Sequence, residues 1–428
     1  MLPGGGSVRR RLLRPAIATA VVLTTLLVGV GPASAGVRDG EEGSGTPPIP
    51  VVEAARAASA RAAVRFSDLE GFGWAKPAIT YVAGSFPWMR DFKADGDGRY
   101  PFKPSVAERR RYFARALVRA FAPDAEPDPG TTFPDVDPDS PWQRFAAIAV
   151  QRGWLNVAPG GLFDPNGPVT MRGVHHALVR ALGLGPAAAS LDRLHTRDGV
   201  RFDLPDGFGT TLLGMRLGLR YNAPSGNESL DVAPADVLSR AQVAYSLYRA
   251  TTQPSWSVGG LKDEYVGIEL PHLGPRLLNI VGWGVDYVGY PYVWGGEWGL
   301  ESRAPAGLGG QPRSGFDSSG LTWWLLREND GGAWKVAPPR PYRGWTLAQR
   351  TSADMARMTP KRIPFRELRP GDIMFYDGDG DGTVDHVDTY IGNGFALDSS
   401  STPGGVTIMW VGDGWYRDHF VHGRRVLR

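Results

Sequence analysis

Gly315-Phe316-Asp317-Ser318-Ser319-Gly320-Leu321 runs directly into the apolar stretch Thr322-Trp323-Trp324-Leu325-Leu326. A short polar turn followed by a continuous apolar run reads as the start of a buried helix, with Ser318 at its first turn. A nucleophile in that place faces the positive end of the helix dipole. Upstream lies Gly289-Tyr290-Pro291-Tyr292-Val293-Trp294-Gly295-Gly296. Downstream, Leu368-Arg369-Pro370-Gly371-Asp372 leads into an apolar strand at residues 373–376, and His386-Val387-Asp388-Thr389-Tyr390-Ile391-Gly392-Asn393-Gly394 is followed by Asp398. Residues 277–428 thus alternate a few helices with short, aromatic-rich strands, which predicts an α+β unit. A histidine on a strand beside a nucleophile can take its proton, and a third polar group can hold the ring.

These four signatures, in this order over roughly 140 residues, resemble the NlpC-type (p-sixty) cell-wall endopeptidases. That pattern runs Y-x-W-G-G, D-C-S-G-L at a helix start, L-x-P-G-D, then H-V-x-x-Y-I-G-N-G. The resemblance implies a papain-like fold acting on peptidoglycan stem peptides at the D-glutamyl–diamino acid bond. It puts Ser318 in the nucleophile's place, His386 in the base's, Asp398 in the orienting residue's, and Tyr292 near the nucleophile and oxyanion. The departure is Ser318, where the pattern has cysteine. A free thiol has a pKa of about 8.5 and is readily lowered to a thiolate. A serine hydroxyl needs concerted proton removal and a well-formed oxyanion hole instead. Two functions follow: a wall-associated peptide hydrolase, impaired or not by the serine, or a non-catalytic peptidoglycan-binding pseudoenzyme. A structural surface-layer component is a third.

From about residue 65 to 251 the chain repeats itself with a period of roughly 60 to 70 residues. One copy (65–122) opens with Phe66-Ser67-Asp68 and closes with Pro101-Phe102-Lys103-Pro104 before a helix. The next (131–184) opens with Phe133-Pro134-Asp135-Val136 and closes with Phe163-Asp164-Pro165-Asn166. The third (200–251) is degenerate. Each copy reads as helix, loop, helix, and none can bury its apolar face alone. The pattern resembles S-layer homology repeats, which hold exported proteins on secondary cell-wall polymers through a Thr-Arg dyad. By that resemblance Arg110, Thr170, Ser239 and Arg240 are candidate polymer contacts, although the dyad is poorly kept. A spacer role without polymer binding is the alternative. The fold class expected is therefore multidomain: an all-α helical-repeat region followed by an α+β papain-like domain at 277–428, with residues 252–276 as a linker.

Asp377-Gly378-Asp379-Gly380-Asp381-Gly382-Thr383-Val384-Asp385 carries the D-x-D-x-D-G spacing of a calcium loop, with Asp388 at the twelfth position. The competing reading is a Gly/Asp-rich hairpin loop. No other cofactor is implied. His386 and Asp388 also share one face if residues 386–391 form a strand. Tryptophans 283, 294, 298, 323 and 324 read as core, with a stacking groove as the alternative. His175 and His176 read as helix-face residues.

Arg9, Arg10, Arg11 and Arg14 precede an apolar run at residues 16–30 and then Ala33-Ser34-Ala35, the pattern of a cleaved signal peptide at 1–35. A Gly/Pro-rich linker (36–50) and an Ala/Arg-rich helical lead-in (51–64) follow. The mature chain is thus expected to be secreted to the cell wall, with no membrane-spanning segment. In 428 residues there is no cysteine, which excludes disulfides, a lipoprotein anchor and Cys-ligated zinc. A net charge of +3 without a basic stripe points away from nucleic acid and is compatible with a polyanionic wall.

Overall fold

The computed structural model describes residues 64–224, 230–298, 315–326, 347, 349–358 and 361–427. The signal-peptide, linker and most of the lead-in readings lie outside the described residues. Within them, a helical region is followed by a six-stranded antiparallel sheet packed against helices.

The helices of the first region are α1 (Lys76–Ile79, continued by a π-helical turn Thr80–Ser85), α2 (Arg110–Phe121), α3 (Pro141–Gln151), α4 (Met171–Ala181), α5 (Gly185–Leu191), α6 (Phe208–Arg216) and α7 (Arg240–Thr251). Their boundaries follow local chemistry. Ser140 caps α3, Thr170 caps α4, and Ser239 with Gln242 forms a capping box on α7. Gly153 and Gly218 take the left-handed conformation (φ 64° and 62°) just past α3 and α6, where a side chain would be strained.

Three equivalent loops, one ahead of each of α2, α4 and α7, meet around a pseudo-threefold arrangement. Glu108 N donates to Leu238 O (3.0 Å), Leu238 N to Val169 O (2.9 Å) and Val169 N to Glu108 O (3.0 Å), closing a ring. A second ring of bonds runs from Arg110 N to Gly167 O, Met171 N to Asp236 O and Arg240 N to Val106 O, each 2.9 Å. The third copy, weak in sequence, is therefore a full partner in the packing. Backbone pairing needs only the right φ/ψ and a proline-led turn at Pro104, Pro165 and Pro234, which side-chain drift leaves intact.

The segment expected to be a linker is not one. Helix α8 (Ser255–Tyr265) forms there and packs on α5, and Leu270 N donates to His195 O at 2.9 Å. Val258, Leu261 and Tyr265 give this helix a buried face. The Tyr265 hydroxyl donates to Ile408 O (2.7 Å) and accepts from Arg216. Repeat helices and sheet share one apolar core, so the two halves pack as one body rather than as beads on a tether.

The sheet runs β3 (Arg362–Ile363), β8 (Phe420–Arg425), β4 (Asp372–Tyr376), β5 (His386–Gly392), β6 (Phe395–Ser400), β7 (Gly405–Trp410) in spatial order, and every pairing is antiparallel. Alternation along β5 sends Val387 and Ile391 into the main core with Leu397, Ile408 and the helices α9 (Pro275–Asp286) and α10 (Ser318–Leu326). The opposite face carries Met374, Tyr376, Ala396, Met409 and the ring of Tyr416. Tyr416 lies on α12 (Gly414–Asp418), which follows α11 (Ser352–Ala356) in the chain.

Candidate active site

Helix α10 starts at Ser318 because Asp317 caps it. Its carboxylate accepts Gly320 N (2.5 Å) and the Ser319 hydroxyl (3.0 Å) through Oδ1, and Gly295 N (2.9 Å) through Oδ2. Arg350 clamps the same turn, donating to Asp317 Oδ1 (3.1 Å), Ser319 Oγ (2.8 Å) and Gly296 O (3.1 Å). An anionic cap with a bidentate cation fixes the helix start and the preceding strand β2 (Gly315–Phe316), which pairs with β1 (Glu297–Trp298). Arg350 was not legible in the sequence, since it lies 33 residues beyond Asp317.

Tyr292 is placed by backbone pairing. Tyr292 N donates to Gly404 O (2.8 Å), Val406 N to Tyr290 O (2.9 Å), and Tyr292 bridges to Phe316, two residues ahead of Ser318. Burial, with Asp317 and Asp398 nearby, pushes the Tyr292 hydroxyl pKa well up, so it stays a neutral donor. Trp294, two residues on, is 73% exposed, whereas Trp324 is buried, so the tryptophans divide between core and surface.

His386 opens β5, opposite Tyr376. Its Nε2 lies 3.0 Å from Asp398 Oδ1 and 3.2 Å from Asp388 Oδ1. Both carboxylates are fully buried while the ring keeps 13% exposure. Register explains the meeting: Thr389 pairs with Leu397, so Asp388 on β5 sits across from Asp398 on β6. The Tyr416 hydroxyl donates to Asp398 Oδ2 at 3.0 Å, and the rings of Tyr376, Trp415 and Tyr416 stand 5.5, 6.2 and 6.2 Å from the imidazole. Burial alone lowers the His386 pKa, but Asp388 and Asp398 outweigh it and raise it to about 10. Burial and then repulsion from Asp398 push Asp388 up to about 7. Among the described residues no hydrogen bond joins the Ser318 hydroxyl to His386.

The sequence assigned Asp388 to the acidic loop; the structure moves it to the histidine. Tyr376 and His386 close a β4–β5 hairpin around residues 377–385. In that loop Asp377 accepts Gly380 N and Gly382 N (2.8 Å each), Asp379 accepts Asp381 N (3.1 Å), Asp381 accepts Thr383 N (2.7 Å) and Asp385 accepts Gly378 N (3.2 Å). The aspartates brace the turn through their own backbone, which is why the hairpin needs them. Asp377, Asp379 and Asp385 still bring oxygens within 4.8 Å of one another.

The candidate polymer contacts have structural work. Thr170 and Ser239 are helix caps. Arg110 donates to Phe163 O (2.7 Å) and Asn156 O (2.6 Å), tying α2 to the next copy. Arg240, expected at the surface, is 1% exposed and reaches Phe102 O (2.8 Å), Glu108 (2.8 Å) and Asp91 (2.6 Å). Its guanidinium is buried among these partners. At the third junction the equivalent position is Met171, and Arg220 supplies the missing bond, donating to Val232 O at 3.0 Å.

Residues 289–425 match the model of the NlpC/P60 family, and residues 132–170 match that of the S-layer homology domain. The C-terminal unit is an NlpC/P60 domain. It follows a helical region that carries an S-layer homology domain in its second copy. Over 144 residues the chain is 30% identical to murein DD-endopeptidase MepH of Escherichia coli, covering 33% of this chain and 43% of that protein. It is 30% identical over 143 residues to the bifunctional muramidase/DL-endopeptidase CwlT of Bacillus subtilis, covering 33% and 34%. The chain spans less than half the length of these curated relatives. The solved peptidoglycan hydrolase RipB of Mycobacterium tuberculosis aligns with a TM-score of 0.26 at 26% identity, covering 40% of this chain and 77% of that one. No helix among the described residues is long and apolar enough to cross a membrane.

Proposed function

We propose that this is an exported cell-wall protein whose NlpC/P60 domain holds peptidoglycan stem peptides without cleaving them at an appreciable rate. One observation carries the reading: among the described residues the Ser318 hydroxyl has no hydrogen bond to either ring nitrogen of His386, whose Nε2 lies between two buried carboxylates. A cysteine at a helix start needs little from its base, because the dipole favours a thiolate before substrate arrives. A serine must hand over its proton during attack, so it depends on a base within reach. The surroundings of Ser318 support retained binding: the clamped helix start, Tyr292 as a neutral donor, and the exposed ring of Trp294 as a stacking surface. The repeats, braced through buried arginines, act as a rigid unit that positions this domain at the wall.

A second reading, slow hydrolysis by a Ser-His-Asp set, is favoured by the fully buried Asp398 at 3.0 Å from His386 with Tyr416 behind it. Purified protein mixed with isolated sacculi separates the two. Wild type is expected to co-sediment with sacculi and release no muropeptides, while Ser318→Cys releases fragments cut at the D-glutamyl–diamino acid bond. Release by wild type that Ser318→Ala abolishes would overturn the binding-only reading.

A further inference from the structure

The cluster of His386, Asp388 and Asp398 has more ligand atoms than an acyl-transfer site uses. Their ligand atoms lie within 4.8 Å of one another, on one face of two adjacent strands. His386 Nε2, Asp398 Oδ1 and both oxygens of Asp388 are buried, and none makes a hydrogen bond of normal geometry. Asp398 has the Tyr416 hydroxyl on Oδ2, whereas both oxygens of Asp388 lack a partner of normal geometry, and a ring N–H can point at only one of the two carboxylates.

From this geometry we infer that His386, Asp388 and Asp398 form a binding site for a divalent transition-metal ion, with zinc the best match. Tetrahedral zinc with bonds of about 2.0–2.1 Å places neighbouring ligand atoms ~3.3–3.4 Å apart. The separations from Nε2 are 3.2 and 3.0 Å. These lie close to tetrahedron edges. One imidazole and two carboxylates make a mixed N/O set that suits zinc better than calcium or magnesium. Tyr416 donates to Asp398 Oδ2 and so leaves Oδ1 facing the histidine, while Tyr376, Trp415 and Tyr416 wall the site with rings.

This inference does not rest on the binding-only reading, although an ion held by Nε2 and Asp398 Oδ1 would displace the His386–Asp398 contact that the hydrolytic reading uses. The site also differs from the acidic loop, whose carboxylates bond to their own backbone.

The test uses the full chain, stripped with chelator and titrated with zinc chloride by calorimetry. One equivalent is expected to bind. Asp388→Asn should weaken binding by ~100-fold or more, beyond the 10–100-fold typical of losing an outer-shell partner, and Tyr416→Phe by about 10-fold. The double variant Asp377→Asn/Asp379→Asn should bind as wild type does. Should Asp388→Asn fail to fold, nitrogen-15 spectra of histidine-labelled wild type decide instead: zinc must shift the Nε2 resonance of His386. No stoichiometric zinc binding, equal affinity in Asp388→Asn, loss in the loop variant, or an unmoved His386 resonance would each overturn the inference.

Discussion

Replacing Arg240 by methionine tests whether the repeats use this arginine as a brace or as a polymer contact. Methionine keeps most of the side-chain volume and removes only the guanidinium. Lost with it are bonds to Phe102 O (2.8 Å), Met89 O (3.2 Å), Glu108 (2.8 Å) and Asp91 (2.6 Å), all with side chains at most 1% exposed where they are charged. Asp91 keeps Arg115 as a partner; Glu108 keeps none of its cationic compensation. Removing one partner of a buried pair costs ~3–5 kcal/mol. At about 2–4 °C per kcal/mol for a body of this class, the midpoint should fall by ~6–20 °C. Burial already raises Glu108 to about 7 against the pull of Arg240. Without the arginine it is neutral at pH 7, which places the cost toward the lower end of that range. Adding Glu108→Gln to Arg240→Met should then recover ~1–3 kcal/mol, since the stranded acid is gone. Urea unfolding followed by tryptophan fluorescence gives the stability, and co-sedimentation with sacculi gives the binding. If Arg240→Met loses less than ~1 kcal/mol yet no longer sediments with walls, the guanidinium is a polymer contact and the brace argument fails.

The remaining predictions concern acid, the junction of the two halves and the nucleophile. Burial, reinforced by Arg220, lowers His175 to about 3, so the native state refuses a proton that the unfolded chain accepts below about 6.5. Stability is therefore full above pH 6.5 and falls as pH drops toward 3, and His175→Leu should flatten that limb in urea titrations run between pH 4 and 7. A Cβ at Gly405 would run into the Tyr290 carbonyl oxygen, so Gly405→Ala should cost about 1–3 kcal/mol and misplace Tyr292. Exchange of the Tyr292 amide, bonded to Gly404 O, reports it; unchanged protection would refute the placement. Arg220→Met removes bonds to Val232 O and to Gly404 O, so amide exchange should quicken in both the third repeat loop and the start of β7. In Ser318→Cys, the thiol should react with iodoacetamide faster than a free cysteine at pH 7, as a helix start and a clamped turn lower its pKa.

Much of this protein was legible in its sequence because the signals were local. The four motifs of the C-terminal domain each mark one turn or one strand, and periodic hydrophobicity gave the repeat helices and the order of the two regions. Alternation on β5 already put His386 and Asp388 on one face. Local signals also misled. The D-x-D-x-D-G spacing drew Asp388 into a loop that the hairpin closes without it, and the helix-start dyad suggested a surface role for Arg240. Residues 252–276 lacked a strong period, so the helix Ser255–Tyr265 went unseen until its apolar face met α5.

What the sequence determined by itself is the family of the domain and the identity of Ser318 in the nucleophile's place, since both reside in contiguous residues. Tertiary structure decided what surrounds them. Asp398 and Tyr416 reach His386 through strand register and a helix packed from beyond β7, and Arg350 reaches Asp317 across 33 residues. Long-range partners of this kind depend on which faces are buried together, and burial is what gives a charge the power to shift its neighbours or to require a counter-ion.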